Sequence, residues 1–481
     1  MAAPAQAPGT TAEPVRLGTL GLTALVVSAI LGSGIFSLPQ NMAESAGAGA
    51  ILLAWSVTGV GMFALARVFQ RLTMERADIR DGIYGFARTG FGDLVGFNAA
   101  WGYWMSVIIG STGYLVLMFG ALGSLPGLAF FGDGSGRVAL VAGLAVLGLM
   151  HALVLRGVRA AFALNVVVTA AKLIPLLLFL LFVVRAFRPE VMSADWSGAT
   201  TGTTLPAQVK ATMLYTLWAF MGVECATIYT GRARSPVAVS RATILGFLLT
   251  LGLLVAVSLL SLGVMSRGEL AHARNPSMAE VMTRATGPWG GVLINVGLAV
   301  SVGGALLAWI LISAELISLL GRGPKPTAPA WLGRVDARGT PRNALWLTNG
   351  VTAALLILNH FSEAGYNLLI QLSSAMALVP YFLTALFALK LARVPATRGY
   401  LAWAVVACTY SLWMLYAAGP KYLVLSLLLY APGFALFAAA RREQRAPILQ
   451  SRGETVAVTL LFAGAIAVLL WILAGKPGLS N

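Results

Sequence analysis

Apolar residues run in long blocks along nearly the whole chain, and these blocks predict membrane-spanning helices. A helix needs about 20 apolar residues to cross the hydrocarbon core of a bilayer, and blocks of this length recur between short polar stretches. We predict an all-α integral membrane protein with 12–13 transmembrane helices and no sizeable soluble domain. The thirteen apolar segments lie at approximately 17–44, 47–69, 94–123, 138–155, 161–184, 209–230, 242–264, 289–318, 344–360, 366–391, 399–418, 421–440 and 454–474.

The composition agrees with this pattern. Of the 481 residues, 58% are hydrophobic and 10% are charged, and the mean hydropathy is +0.83. Soluble chains carry about 25% charged residues. The three histidines are scattered and no glycine-rich phosphate loop is present, so we expect no metal site, no cofactor, no catalytic residues and no enzyme activity.

Basic residues lie in the loops between the segments and predict the orientation of the chain. With a cytoplasmic N-terminus, 23 of the 33 Lys and Arg residues fall on the inner side and 9 on the outer side. The positive-inside rule favours this orientation. The net charge of +16 is therefore a topology signal, and we expect the partner to be the lipid bilayer and not nucleic acid.

The first apolar segment is interrupted by GSGIFS at Gly32 to Ser37. In a membrane, unpaired backbone groups are tolerated only where they face protein or a water-filled cavity. We therefore expect an unwound turn near Gly34 that faces such a cavity. A packing notch of small residues between helices is the alternative explanation of the glycines.

The sixth segment carries a second interruption, WAFMGVECAT, at Trp218 to Thr227. The two interruptions lie about 190 residues and five segments apart. Because five is odd, the second five helices are inserted upside down relative to the first. Interrupted helices at matching positions of two inverted halves indicate a transporter with its binding site at the membrane midplane.

This symmetry predicts the domain organisation. A disordered cytoplasmic tail at 1–16 precedes a first inverted repeat at 17–200 and a second at 201–398. Accessory C-terminal helices occupy 399–481. We place the boundaries in the polar stretches between apolar segments.

A broken helix can bind both ends of an amino acid with main-chain groups. The half-helix that begins near Ile35 presents free N–H groups and the positive end of its dipole, which attract a carboxylate. The half-helix that ends near Ile30 presents carbonyl groups, which suit an ammonium group. Gly32 and Gly34 allow a ligand to approach the backbone closely.

Two ionisable side chains lie deep within apolar segments. Such a group costs at least about 2.5 kcal/mol at the membrane centre and is a functional hypothesis by default. Glu224 is a candidate for proton relay, substrate contact or support of the freed backbone, with a neutral structural carboxyl as the alternative. Lys172 is a candidate for pairing with carbonyl groups of a broken helix, with snorkelling to the interface as the alternative.

Tryptophans in membrane proteins usually lie at the interfaces, which is what we expect for Trp55 and Trp471. Trp218 and Trp309 lie well inside their segments. Both are therefore candidates for stacking on a substrate or for binding a cation.

Four stretches in combination resemble the amino acid–polyamine–organocation superfamily, and within it the basic amino acid antiporters. The similarity covers roughly residues 17–440 and is strongest to the arginine–ornithine antiporter branch, which shares IFSLPQNMA, GTPRNALWLTN and an extra final helix. The stretches are GSGIFSLPQNMA in the first segment, WAFMGVECA and ARSPVAVSRATI in and after the sixth, LLAWILISAEL and RVDARGTPRNALWLTN in and after the eighth, and LSSAMALVPYFLTALFALKLA in the tenth.

The resemblance implies a LeuT-like fold of two inverted five-helix repeats with broken helices 1 and 6. It also implies alternating access in a bacterial inner membrane, a small-molecule amino acid substrate and a possible homodimer. The substrate-binding candidates are Ile30, Ser33, Gly34, Ser111, Trp218, Met221, Glu224, Ala305, Trp309 and Ser373. The gating candidates from the resemblance are Tyr103, Glu224 and Tyr381, to which the pattern of the fifth segment adds Lys172 as a coupling candidate.

Two of these positions depart from the arginine–agmatine exchangers that the chain resembles. Their helix 3 asparagine matches Ser111 here, and their helix 8 tryptophan matches Ala305, while Trp309 lies one turn later. The departures weaken the case for agmatine exchange.

The functional hypothesis is exchange of cationic amino acids, with arginine for ornithine as the leading pair. The alternative is a proton-coupled or facilitated amino acid importer with Lys172 as the proton carrier. The sequence leaves the preferred cationic substrate open.

Overall fold

The computed structural model consists of helices joined by short loops. It describes residues 18–76, 78–79, 81–156, 158–224, 235–337, 339–361, 365–392 and 399–474, apart from some side chains in the first, seventh and tenth helices. The predicted N-terminal tail at 1–16 and the end of the second interruption, residues 225–227, lie outside the described residues.

Eighteen α-helices lie in the described part of the chain. They are α1 Thr19–Ile30, α2 Gly34–Ala43, α3 Ala48–Glu75, α4 Gly82–Phe91, α5 Asp93–Gly123, α6 Arg137–Arg156, α7 Val158–Ala186, α8 Pro189–Ser193, α9 Leu205–Phe220, α10 Pro236–Ser261, α11 Arg267–Ala271, α12 Ser277–Thr286, α13 Pro288–Leu320, α14 Arg342–His360, α15 Gly365–Leu391, α16 Leu401–Tyr430, α17 Gly433–Glu443 and α18 Arg452–Leu473. The all-α prediction is confirmed.

Eight helices of the described residues are long and apolar enough to cross a membrane, judged by length and composition. One of them, Leu401–Glu443, combines α16 and α17 and covers two predicted segments. The predicted first segment is divided between α1 with 12 residues and α2 with 10 residues. At 1.5 Å per residue, each half is about 15–18 Å long and too short to span alone, so the count of thirteen segments stays a prediction.

Helix packing follows the pairing that two inverted repeats require. In this arrangement α1 and α2 correspond to α9, α3 to α10, α5 to α13, α6 to α14 and α7 to α15. Accordingly, α1 packs on α10 as α9 packs on α3, and α5 packs on α15 as α13 packs on α7. The pairs α5–α13 and α6–α14 lie across the axis of the arrangement.

The first predicted break is present, and at the second predicted position α9 ends, while residues 225–234 that follow lie outside the described residues. After α1 the chain leaves helical geometry at Leu31, with φ −72° and ψ 86°, and α2 begins at Gly34. After α9 the chain becomes extended at Met221, with φ −58° and ψ 133°. The next residue, Gly222, has φ 107°, a conformation that glycine adopts at little cost.

α5 lies at the centre of the bundle. In α5, 94% of the most apolar 18-residue stretch is buried inside the protein, compared with only 11% of the corresponding stretch in α18. A helix that is apolar all round is buried on all sides, and α5 accordingly contacts α4, α13, α14 and α15. α5 is therefore placed to hold side chains on a site between the repeats.

The loops and one tryptophan differ from expectation. The polar stretches contain the helices α4, α11 and α12, which the apolar pattern did not indicate. Trp55 is 1% exposed and its Nε1 donates to Ser258 Oγ at 3.1 Å. Trp55, which we expected at a membrane interface, is therefore buried among the helices, where a partner for its N–H is available.

An ion pair holds the C-terminal end of α2. Arg267 donates from Nε to Asp195 Oδ2 at 2.6 Å and from Nη1 to the Ala43 carbonyl at 2.9 Å. Partial burial disfavours the charged form of Asp195, but hydrogen bonds from Thr200 and Arg267 outweigh it and lower the pKa of this carboxyl. The pair therefore fixes α2 against the loop that precedes α9.

Candidate functional site

A cavity lies at the two helix breaks, between α1, α2, α5, α9 and α13. Its lining residues are Ile30, Gly32, Gly34, Val107, Gly110, Ser111, Tyr114, Trp218, Ala219, Met221 and Trp309. None of these described lining residues carries a formal charge. Three large aromatic side chains line the cavity opposite the main chain of the first break, and they are Tyr114, Trp218 and Trp309. Aromatic side chains together with a few polar main-chain groups are typical of a site for an organic ligand.

The cavity is narrow in this conformation. It leaves about 20 Å³ for the centres of water molecules, which is room for roughly one. An amino acid with a long side chain requires more space than this. Binding of such a ligand therefore requires the side chains or helices that line the cavity to move apart.

The indole of Trp218 is held between two glycines. A Cβ atom at Gly34 would lie 2.8 Å from Trp218 Cδ1, and one at Gly110 would lie 2.7 Å from Trp218 Cη2. The Tyr114 ring meets the same indole edge-on, at 5.7 Å between centroids and an interplanar angle of 73°. The Trp218 ring therefore fits at the edge of the cavity only because α2 and α5 each present a glycine to it.

Replacing Gly110 by alanine is expected to reduce transport at least about 10-fold. The added methyl group displaces the Trp218 ring, since contacts below 3.0 Å are not tolerated, and overpacking of this kind costs roughly 1–3 kcal/mol. The measurement is the initial rate of labelled substrate uptake in proteoliposomes. Gly148→Ala in α6 is the matched control, because a Cβ there meets nothing within 4 Å. Equal rates for the two variants would contradict a closing role of Trp218.

Lys172 of α7 binds the first helix break. It is 5% exposed, and its Nζ donates to the Leu31 carbonyl at 2.9 Å. The side chain is thus buried among the helices, with its ammonium group hydrogen-bonded to the main chain of the break. Its ammonium group lies at the carbonyl end of α1, where a cation is favoured by the helix dipole.

A second cluster surrounds Glu224, just past the second break. The hydroxyl of Tyr103 in α5 donates to Glu224 Oε1, and the hydroxyl of Tyr381 in α15 donates to Oε2 at 2.7 Å. The backbone N–H of Gly222 donates to Oε2 at 3.3 Å. All three side chains are buried. Glu224 therefore connects the broken segment after α9 to α5 and α15.

A pair of serines lies between this cluster and the cavity. Ser373 Oγ donates to the Ser106 carbonyl at 2.6 Å, and Ser106 Oγ donates to the Ser373 carbonyl at 2.7 Å. A Cβ at Gly110 would lie 3.3 Å from Ser373 Oγ. The serines fix α5 against α15 next to the cavity.

The predicted site residues thus fall into separate groups. Six line the cavity: Ile30, Gly34, Ser111, Trp218, Met221 and Trp309. Tyr103, Glu224 and Tyr381 form the second cluster, and Ser373 and Lys172 lie next to the cavity and to the break. Ser33 and Ala305 do not line the cavity in this structure; Trp309, one turn beyond Ala305 along α13, does.

The sequence did not indicate Val107, Gly110, Tyr114 or Ala219, although they line the cavity. A signal for two of them was present. Val107 and Tyr114 follow the i, i+4, i+7 spacing of one helix face together with Ser111, and the matched Ser111 identifies that face.

A family model described as amino acid permease matches residues 17–474. A putative arginine/ornithine antiporter of Escherichia coli (strain K12) is 43% identical over 463 residues, covering 96% of this chain and 99% of the relative.

Two further relatives cover similar lengths. An arginine/ornithine antiporter of Pseudomonas aeruginosa is 42% identical over 474 residues, covering 95% of this chain and 97% of the relative. An arginine/agmatine antiporter of Chlamydia pneumoniae is 36% identical over 484 residues, covering 97% and 99%. With its broken helices, its central cavity and a family match over nearly its whole length, this chain belongs to the amino acid permease family of the amino acid–polyamine–organocation superfamily.

Proposed function

We propose that the protein exchanges cationic amino acids across a bacterial inner membrane by alternating access, with arginine for ornithine as the leading pair. The observation that carries the proposal is that both ends of the broken helix face one cavity. Ile30 ends α1 and Gly34 begins α2, and both line it. The names of the relatives support the substrate class.

The main chain at the break is proposed to bind the zwitterion. The carboxylate lies at the N-terminus of α2, next to Ser33 and Gly34, and the ammonium lies at the carbonyl end of α1. Trp218 covers the ligand, and Trp309 and Ser111 contact its side chain. A guanidinium or ammonium group on that side chain is attracted to the faces of the aromatic rings.

Two closures alternate in the proposed cycle. Trp218 closes the cavity on the α2 side, and the Tyr103–Glu224–Tyr381 cluster closes the path on the other side. Given the excess of basic residues in the loops on one side of the chain, we place the N-terminus in the cytoplasm. The α2 side then faces outward, and the Glu224 cluster lies toward the cytoplasm.

The exchange is electroneutral because arginine and ornithine both carry one net positive charge. Moving one charge across the membrane is worth about 2.3 kcal/mol per 100 mV. One-for-one exchange moves no net charge, so the concentration gradients of the two amino acids drive it.

The test is counterflow in proteoliposomes. Vesicles loaded with ornithine are expected to accumulate labelled arginine, and empty vesicles are expected to take up little. Equal uptake into loaded and empty vesicles would contradict exchange. Uptake into empty vesicles that an ionophore abolishes would instead favour a proton-coupled importer.

A further inference from the structure

Four buried polar atoms lie together at the start of α2 without a hydrogen bond in the described part of the structure. They are Ser33 Oγ, Ser37 Oγ, Trp218 Nε1 and Tyr366 Oη. The exposed fractions of these four residues are 0%, 0%, 7% and 8%. A buried polar group without a partner is unfavourable by about 1–3 kcal/mol, so four in one place indicate a position for a ligand.

The fold brings the four atoms to one point. Ser33 and Ser37 are four residues apart, which places them on one face of α2. The Tyr366 hydroxyl, at the start of α15, lies within reach of Ser33, Ser37 and the Trp218 indole, but none of these contacts has hydrogen-bond geometry in this structure. The Tyr366 ring is fixed on α5, where a Cβ at Gly113 would lie 3.6 Å from it. The group adjoins the cavity through Trp218, which lines it.

The chemistry of the group is that of an anion site. The indole N–H can only donate a hydrogen bond, and each hydroxyl can donate one. The first backbone N–H groups of α2, a helix of 10 residues, add donors and the positive end of a dipole. The four side chains include no acid that could hold a cation. The best-matched ligand is a carboxylate, which accepts several hydrogen bonds at once.

We propose that Ser37, Tyr366 and the Trp218 N–H bind the α-carboxylate of the substrate and thereby select amino acids over the amines that remain after decarboxylation. The inference rests on the proposed exchange of amino acids and assigns the residues that require a carboxylate. Arginine and ornithine carry this group, whereas agmatine lacks it. Ser37 and Tyr366 are specificity-determining residues outside the lining of the cavity.

The test compares Tyr366→Phe and Ser37→Ala with wild type in detergent. Binding of arginine, ornithine and agmatine is measured by calorimetry or by competition. Loss of a hydrogen bond to a charged group corresponds to a loss of affinity of about 10-fold or more. We expect that loss for arginine and the same factor for ornithine, because the two share the carboxylate. The affinity for agmatine is expected to change less than 2-fold, or to stay undetectable in both proteins.

Tyr410→Phe is the matched control. The Tyr410 hydroxyl is also buried without a hydrogen-bond partner among the described residues, but it lies in α16, against Gly61 of α3. Its removal is expected to leave all three affinities unchanged. Melting temperatures and monodispersity establish that each variant is folded.

Three outcomes would overturn the inference. They are unchanged arginine binding in Tyr366→Phe, a loss shared equally by agmatine, and a loss that differs strongly between arginine and ornithine. The last outcome would place the hydroxyl at the substrate side chain. Failure of the proposed function is distinguishable, since wild-type protein would then show no ornithine-dependent arginine uptake.

Discussion

Glu224→Gln is expected to lower the rate of exchange about 10-fold or more while arginine affinity changes less than 3-fold. Glu224 accepts hydrogen bonds from Tyr103, Tyr381 and the Gly222 N–H. An amide has one oxygen and presents N–H groups where the second carboxylate oxygen stood, so either a tyrosine hydroxyl must turn to accept or the Gly222 N–H meets a donor, and the charge-assisted bonds are lost. A hydrogen bond to a charged group contributes about 1.5–3 kcal/mol.

We expect Glu224→Gln to lower the exchange rate more than the arginine affinity because Glu224 does not line the cavity. The substitution weakens the connection between the broken segment and the helices α5 and α15. A protein that closes poorly at the Tyr103–Glu224–Tyr381 cluster is expected to transport slowly although it still binds substrate. The measurements are initial exchange rates in proteoliposomes and arginine binding in detergent.

Glu443→Gln is the control for this substitution. Glu443 is on α17 and accepts a hydrogen bond from the Ala330 N–H at 2.9 Å at an exposed position. It is expected to behave as wild type. If Glu224→Gln lost affinity by the same factor as rate, Glu224 would be a substrate contact and not part of a closure.

Lys172→Met is expected to weaken arginine binding about 10-fold and to lower exchange by a similar factor. The substitution keeps the length of the side chain and removes the charge that holds the Leu31 carbonyl. A buried carbonyl that loses a charged donor is destabilised by about 1.5–3 kcal/mol. The turn that presents Ile30 and Gly34 to the cavity is then less well fixed.

The dependence of uptake on internal ornithine is expected to survive in Lys172→Met. A positioning role predicts slower exchange with unchanged coupling, whereas a proton carrier predicts loss of coupling itself. Lys325→Met, at an exposed position, is the control and should match wild type. Unchanged affinity and rate in Lys172→Met would contradict a role of this lysine in shaping the break.

The breaks could be predicted from sequence because membrane physics constrains them strongly. Glycines at Gly32 and Gly34 and an acid at Glu224 are costly inside a spanning helix, and the bilayer gives no water to the backbone groups they free. The structure has the first break at Leu31 to Ser33 and the second at Met221. Both lie within three residues of the predicted positions.

The closing arrangement around Trp218 could not be predicted in the same way. α5 is apolar throughout, so its periodicity does not reveal which of its faces meets α9. The sequence does not distinguish Gly110 from other glycines of membrane helices, because its contact with Trp218 depends on how the helices pack. The proximity of Tyr366 and Ser37 likewise depends on the packing of α15 beside α2.

The buried position of Trp55 also depends on a contact between helices that the sequence does not reveal. An indole N–H inside a membrane needs a partner, and the sequence does not show that Ser258 provides one from another helix.

In the proposed transport cycle, the backbone at Gly222 separates the two closures along the chain. Trp218 is in regular helix and Glu224 lies beyond the turn at φ 107°, so the two need not rotate as one body. On α5 the situation is reversed, since Tyr103 and Tyr114 are separated by about 16 Å of continuous helix. In the proposed cycle, the cavity is therefore a compartment with two closures, one at Trp218 and one at Glu224, that move separately and both pack against α5. Such a compartment can pass one solute in each direction without ever offering ions a continuous path.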